Sequence, residues 1–582
     1  MVLTSALLLV AAPALQEPRT PTLVTDTVPP LQWQLELATT GDHVVSTWRA
    51  SGSDSLYLTL SDGRGLAWSA PVELDVTPGT AGVVRHSLAA LGDTAWIAWD
   101  DTRLHLGSTF SEPQSAPFLR PIDLTGGSLG AEVALPVMGP IDDTETTVMA
   151  IEAVEVAGEV HVHVLLYSET FSDGNRRLIL TSSHDGGATF PFTEVVATGL
   201  FYYQETAALV VEGETLHVAF EGGDTILGPL QVRYQRSSDG GESLDFSPTQ
   251  VLFDGAELGL VTLLAAATND RLVVTWTDDE VISDEPFNIA SRARAVVSDD
   301  GGDSFTAAAL LDEVASPYLR LRIEGALVEP ASGNTTVAWG ETNIDGGNYT
   351  IYYSASPDAG ASWQPSGILM NGMGSGFSGL LGDSQGRGRV VLVRAFNDPL
   401  GFPAFDRTLA AVSYDGGLQF EPAFVLGAFG NSAHAAVYNE RYQNVVALMR
   451  SQPGSALTAG GFRPQTLNID GYQAGPATIQ ASFERFDDGS QSVWLVASDA
   501  LGDLPLPFGD GRNLGLAATP LLIDTISTPA VFLVDVDADG AATLPPLNTS
   551  IPVGLTLHFA ALGFDLATLG FGDISDVRTE QP

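Results

Sequence analysis

From about residue 40 to about residue 455 the chain alternates short apolar runs with polar turns, and no long stretch keeps a helical period. β-Branched residues are common in the apolar runs, which marks them as strands. The runs share an ending, an aromatic residue followed closely by an acid. "AWIAWDD" supplies Trp99 and Asp100, "HVLLYSE" Tyr167 and Glu169, and "LHVAFE" Phe220 and Glu221. "VVTWTDD" supplies Trp276 and Asp278, and "TTVAWGE" supplies Trp339 and Glu341. "HVVSTW" adds Trp48 upstream, while "RVVLVRAFND" (Arg394, Asp398) and "NVVALMRS" (Arg450) are weaker copies downstream, making eight in all.

A second marker runs in phase with the first. "SHDGGATF", "SSDGGESL", "SDDGGDSF", "SPDAGASW" and "SYDGGLQF" place Asp185, Asp239, Asp300, Asp358 and Asp415 at spacings of 54, 61, 58 and 57 residues. A period of this size belongs to propellers and solenoids. The first two copies keep damaged turns: "SDGRGLAW" (Ser61 to Trp68) has one extra residue, and "HLGSTFS" (His105 to Ser111) has lost its Asp. The eighth copy has none. Each repeat reads as strand, turn, strand, a variable stretch, then strand, Ser-x-Asp turn, strand. Four short strands per unit, arranged radially, solve the problem of exposed sheet edges. The expectation is an all-β chain: a β-propeller of seven or eight blades over 31–470, followed by a C-terminal β-sandwich over 471–582.

Every position of the repeated turn has a folding role. The Asp accepts N–H bonds from residues just ahead of it. Gly187, Gly241, Gly302, Gly360 and Gly417 supply the positive φ of a tight hairpin. Hydroxyls such as those of Ser183 and Thr189 bond back across the loop. Phe190, Phe305, Trp363 and Phe420 begin the next strand and are placed to wedge between blades. These octets resemble the Asp-box, or bacterial neuraminidase repeat, of sialidases and several unrelated propeller families. The resemblance covers most of residues 40–455. It implies a propeller whose Asp-box turns lie on the outer rim, away from the active centre. Sialidases have six blades.

Sialidase chemistry, as the resemblance implies it, uses three arginines to clamp a carboxylate, a Tyr–Glu pair as nucleophile and an Asp as acid/base. Arg binds carboxylates bidentately, and a Tyr needs a neighbouring carboxylate to become nucleophilic. The family's Phe/Tyr-Arg-Ile-Pro string has its nearest counterpart in Phe118-Leu119-Arg120-Pro121, which has an extra residue, lacks the Ile and follows two repeats instead of preceding them. Arg103, Arg394 and Arg450 end inner-type strands; they either face the central channel or pair with local acids. Tyr203 and Glu205 in "GLFYYQE" are the candidate Tyr–Glu source, or else part of an aromatic strand edge.

Composition narrows the classes further. The 25 basic residues, all Arg, face 71 acids, for a net charge of −46. Such a surface repels nucleic acid and anionic lipid. There is no Cys, so disulfides, thiolate metal sites and cysteine nucleophiles are excluded. The start, "MVLTSALLLVAAPALQEPRT", reads as a bacterial-type secretory leader over residues 1–15, without a basic residue before its apolar run. No other segment is long and apolar enough to span a bilayer. His161 and His163 share a strand face but lack a third zinc ligand, and read as a packed or surface pair. "DVDADG" (Asp535, Asp537, Asp539, Gly540) resembles half a calcium loop, but Pro546 stands where the bidentate Glu belongs, so a hairpin around Ala538–Gly540 is the preferred reading. No cofactor is expected, with weak calcium binding as the one alternative. The functional expectation is a secreted or surface-held monomer that recognises a glycan or an extracellular or envelope protein without catalysis; the alternative is an exo-acting sialidase-type glycosidase.

Overall fold

A computed structural model describes residues 22–25, 31–50 and most of 55–580; outside the description lie chiefly 1–21, 26–30, 75–82, 104–114, 199–206, 223–229, 257–262, 383–389, 397–406, 485–491, 500–520, 522–531 and 536–541, with shorter stretches in other connections. The chain divides into a unit of Pro21–Gly461 and a second that holds Phe462–Pro582.

The first unit is an eight-bladed β-propeller. Its eight antiparallel sheets each have four strands. Seven are built in chain order: Leu31–Glu73, Val83–Ala134, Thr144–Thr198, Ala207–Ala256, Leu263–Ser316, Leu319–Met373 and Ser378–Val425 form blades 1 to 7. The first strand of each blade neighbours the first strand of the next, and that of blade 8 (Asn431–Asn439) neighbours that of blade 1 (Leu31–Thr39), so the first strands line a closed axis.

Blade 8 explains its missing turn. It takes three strands from Asn431–Phe462 and its outermost strand from Thr22–Thr25, paired antiparallel to Leu457–Phe462. A fourth strand from the far end of the chain leaves no third-to-fourth turn to build. That outer strand precedes "LQWQLEL", which is itself the inner strand of blade 1.

The repeated turns occupy equivalent corners, each joining third strand to fourth. In blade 3 the Ser183 hydroxyl donates to Asp185 at 2.7 Å and accepts from the Gly187 amide at 2.9 Å, while Asp185 also accepts from the Thr189 amide at 2.9 Å and hydroxyl at 2.6 Å. The pattern recurs at Asp239 with Ser237 and Ser243, at Asp300 with Ser298 and Ser304, and at Asp358 with Ser356 and Ser362. Asp415 lies outside the described residues, but the Gly417 amide reaches Ser413 Oγ in the same way, at 2.9 Å. The Ser304 hydroxyl and amide hold the Asp300 carboxylate down at about 2. All five named glycines have φ between 78° and 88°.

Each turn also latches onto the preceding blade. Trp96 Nε1 of blade 2 donates to Gly186 O, and Arg236 Nη1 of blade 4 donates to Gly301 O, each at 2.8 Å. Phe190, Phe305, Trp363 and Phe420 pack on the core of the blade before theirs. In blade 2 the degenerate turn is not "HLGSTFS": that string falls between the second and third strands, outside the described residues. Asp123 takes the role, accepting from the Thr125 amide and hydroxyl and the Gly126 amide.

The aromatic that ends the second strand is the other interblade element. Trp99, Phe220, Trp276 and Trp339 are buried against the blade before their own, and Trp48 packs on Leu448 of blade 8. In blade 3 the register puts Leu166, not Tyr167, at this position.

In the second unit, two antiparallel sheets share one core of Ala481, Phe483, Val493, Leu495, Ala497, Leu544, Phe559 and Ala561. Leu533–Asp535 pairs with Ser492–Ser498 in one sheet, and Ala542–Thr543 pairs with Gly475–Glu484 in the other. The strands on either side of "DVDADG" therefore pair in different sheets, and the hairpin expected around Ala538–Gly540 lies outside the described residues. Asp535 accepts the Ser492 hydroxyl, and the remaining Asp537, Asp539 and Gly540 lie outside the described residues.

Candidate functional site on the strand-end face

Antiparallel pairing puts the repeated turns at one end of the propeller. The opposite end collects the starts of the first and third strands and the ends of the second. The acids of the sequence marker therefore lie at that end, with Asp100, Glu169, Glu221, Asp278 and Glu341 on blades 2 to 6. Burial pushes Asp100 up to about 8, against hydrogen bonds from the Val148 amide and Ser115, and pushes Glu221 up to about 7. On the axial strands, burial also raises Glu36 to about 8 and Glu152 to about 7. Both are half-buried on first strands, and Glu36 accepts from the Leu88 amide and Ser87 of the next blade. The Arg85 charge lies near both Glu36 and Asp100 and pulls against these rises.

Several arginines of this face are engaged by carboxylates, while Arg177 and Arg407 bond backbone carbonyls and Arg233 bonds Gln231. Arg103 is bound by Asp101, pairs with Glu132 at 2.7 Å and lies 4.1 Å over the Phe118 ring. Arg120 shares Glu132 at 3.3 Å. Arg176 pairs with Glu169 at 3.0 Å, Arg294 with Asp278 at 2.6 Å, and Arg320 with Asp279 at 3.3 Å.

Arg394 does not face the axis. It occupies the buried position that an aromatic fills in blades 1, 2, 4, 5 and 6, and is 1 % exposed. Its Nη1 pairs with Glu324 of blade 6 at 2.7 Å, and its guanidinium sits 4.4 Å over the Tyr349 ring. Tyr349 donates its hydroxyl to Glu324. Burial and the Glu324 charge push the Tyr349 hydroxyl pKa up. Blades 6 and 7 thus hold a Tyr–Glu–Arg network that the sequence reading missed. Its acid sits at an irregularity in the first strand between Ile323 and Gly325, a bulge of the kind that re-aims a side chain. Nothing in "LRLRIEGALV" marks that bulge, and Tyr349 stands 25 residues away in sequence.

The other candidates are not brought together with these. Arg450 lies on the second strand of blade 8, with its side chain outside the described residues, as are Tyr203 and Glu205. His161 and His163 are buried on the second strand of blade 3, near the repeated turns at the other end. His161 stacks on His184 at 3.9 Å, and His163 Nδ1 meets Ser182 Oγ at 2.9 Å; burial holds His163 down at about 3. Among the described residues no three His, Cys, Asp or Glu side chains are placed to hold a metal ion. Among the described residues no helix is long and apolar enough to cross a membrane.

No family model matches the sequence, and no curated protein matches it. Among solved structures the chain is similar to an alpha-L-arabinanase of Penicillium chrysogenum, with 13 % identity over 54 % of this chain and 93 % of that one and a TM-score of 0.32. It is similar to the leech intramolecular trans-sialidase, with 11 % identity over 63 % and 70 % and a TM-score of 0.33. It is also similar to the Trypanosoma rangeli sialidase, with 11 % identity over 98 % and 88 % and a TM-score of 0.34. Likeness at this level says nothing of activity.

Proposed function

We propose that this protein is a secreted recognition propeller that binds a glycan or an extracellular or envelope protein through its strand-end face, without catalysis. The observation that carries this reading is where five of the arginines go. A clamp for an acidic sugar needs guanidiniums that offer their donors to a ligand. Here Arg103, Arg176, Arg294 and Arg320 pair with neighbouring acids, and Arg394 is sealed between two blades with Tyr349 and Glu324. A nucleophile that no substrate can touch does no chemistry. The repeated turns, at the other end, serve folding, and the C-terminal module is read as an appended β-sandwich.

The test is hydrolysis of a fluorogenic sialoside by the purified chain, beside Tyr349→Phe and Glu324→Gln. The expected result is no turnover by any of the three. Turnover by the parent that disappears in both variants would establish the glycosidase reading instead.

A further inference from the structure

The blades differ in how far they reach above the strand-end face. The second strand ends two residues past the interblade position in blades 1, 2, 4 and 7, and four past it in blades 3 and 6. In blade 5 it runs eight residues past Trp276, to Asp284, and stays paired with Phe287–Ser298 to its tip. At about 3.3 Å per residue the second strand of blade 5 ends roughly 13–20 Å beyond the ends of the other second strands. Among the described residues it is the longest projection on this face.

The hairpin and the turn after the fourth strand of its blade each carry an exposed apolar side chain. Ile282 is 47 % exposed and sits at the irregularity between Val281 and Ser283, which turns it out of the regular alternation. Tyr318, 57 % exposed, follows the fourth strand of the same blade. Its amide, at 3.1 Å, and that of Leu319, at 3.2 Å, both donate to Ser316 Oγ, which fixes the turn that presents it. Buried Ile289 pairs with Val281 on one side and Ser316 on the other, so Ile282 and Tyr318 flank the same short piece of sheet.

The strands of this blade also carry carboxylates. Glu280 and Glu313, 40 % and 42 % exposed, grip Arg292 from two sides at 2.5 and 2.8 Å. Asp279 faces Arg320, and Asp278 faces Arg294. These four acids outnumber the three arginines they hold, so this end of blade 5 is net negative in a chain of net charge −46. A second copy would bring like charge to like charge, and an acidic glycan, a nucleic acid or an anionic membrane would be repelled.

Taking the recognition reading above as its premise, we infer that the blade 5 hairpin is the docking element and that its partner is a basic polypeptide segment bearing an apolar side chain. The apolar group covers Ile282 and Tyr318, and the cations meet the free lone pairs of Glu280 and Glu313. Tyr318 adds a ring face for a cation.

The experiment measures fluorescence anisotropy with two labelled probes, a decalysine and a decapeptide of lysine with leucine at its two central positions. The full chain is compared with Ile282→Ser/Tyr318→Ser and with Glu280→Gln/Glu313→Gln, each first shown to melt like the parent. The leucine peptide should bind the parent at least tenfold more tightly than decalysine. The Ser variant should lose that advantage and keep decalysine binding, while the Gln variant should weaken both. Equal binding of the two peptides, an unaffected Ser variant, or no saturable binding overturns the inference. So does saturable binding of maltohexaose abolished by Tyr318→Ser, which would make the partner a neutral glycan. Sialoside turnover by the same preparation would overturn the non-catalytic reading and leave the peptide result to stand separately.

Discussion

The two glycines of one repeated turn should respond differently to the same substitution. In blade 5, Gly301 has φ of 66° and Gly302 has φ of 87°. An alanine at either position carries the left-handed cost of about 1–2 kcal/mol. The added methyl at Gly301 would meet only Asp270 Oδ1, at 3.7 Å, an ordinary contact. Blade 6 already makes this substitution, with Ala359 at φ of 57° in the same place. At Gly302 the methyl would sit 2.7 Å from Tyr234 Cζ and nearer still to its hydroxyl. Tyr234 is fully buried in the preceding blade and cannot swing away. Overpacking of this kind adds about 1–3 kcal/mol, so Gly302→Ala should cost about 2–5 kcal/mol in total. Urea unfolding followed by tryptophan fluorescence should show a clearly lower midpoint for Gly302→Ala than for Gly301→Ala. Adding Tyr234→Phe should restore part of the loss in the Gly302→Ala background and none in the parent. Equal midpoints for the two alanine variants would refute the claim that the second glycine is set by its contact with the neighbouring blade.

Three other outcomes follow from the same geometry. Arg394→Ala strands the buried Glu324 carboxylate and should destabilise by about 3–5 kcal/mol, whereas Arg394→Leu with Glu324→Leu should recover most of it in a double-mutant cycle read by urea unfolding. Asp100, raised to about 8 by burial, favours the fold fully below its unfolded value and loses that contribution as pH rises through 8. Asp100→Asn should therefore gain on the parent by up to about 4 kcal/mol between pH 5 and pH 8, with midpoints converging in acid; parallel curves would contradict the assignment. Deleting residues 22–25 removes the outer strand of blade 8 and bares the edge of Leu457–Phe462, so the variant should melt lower and aggregate, as scattering on heating would show.

The local rules of this chain were legible in its residues. The Asp–Gly–hydroxyl turns need only neighbours in sequence to close, so their spacing announced the four-stranded repeat and the corner each turn occupies. The marker aromatics announced a buried interblade layer, because a Trp or Phe near the end of a second strand has one large apolar face to hide. Closure of the ring depended on Thr22–Thr25 meeting Leu457–Phe462, a pairing across more than 430 residues that no local pattern encodes. The fates of Arg394 and Arg103 were tertiary decisions too. A guanidinium at a strand end reads the same in sequence whether it meets a ligand, a local Asp101 or a Glu324 supplied by the next blade, since the partner is chosen by register and by a bulge. Turn chemistry is short-ranged and is written in consecutive residues; burial and charge pairing are set by what the ring brings alongside, which is why the fold could be read from the sequence before the site could.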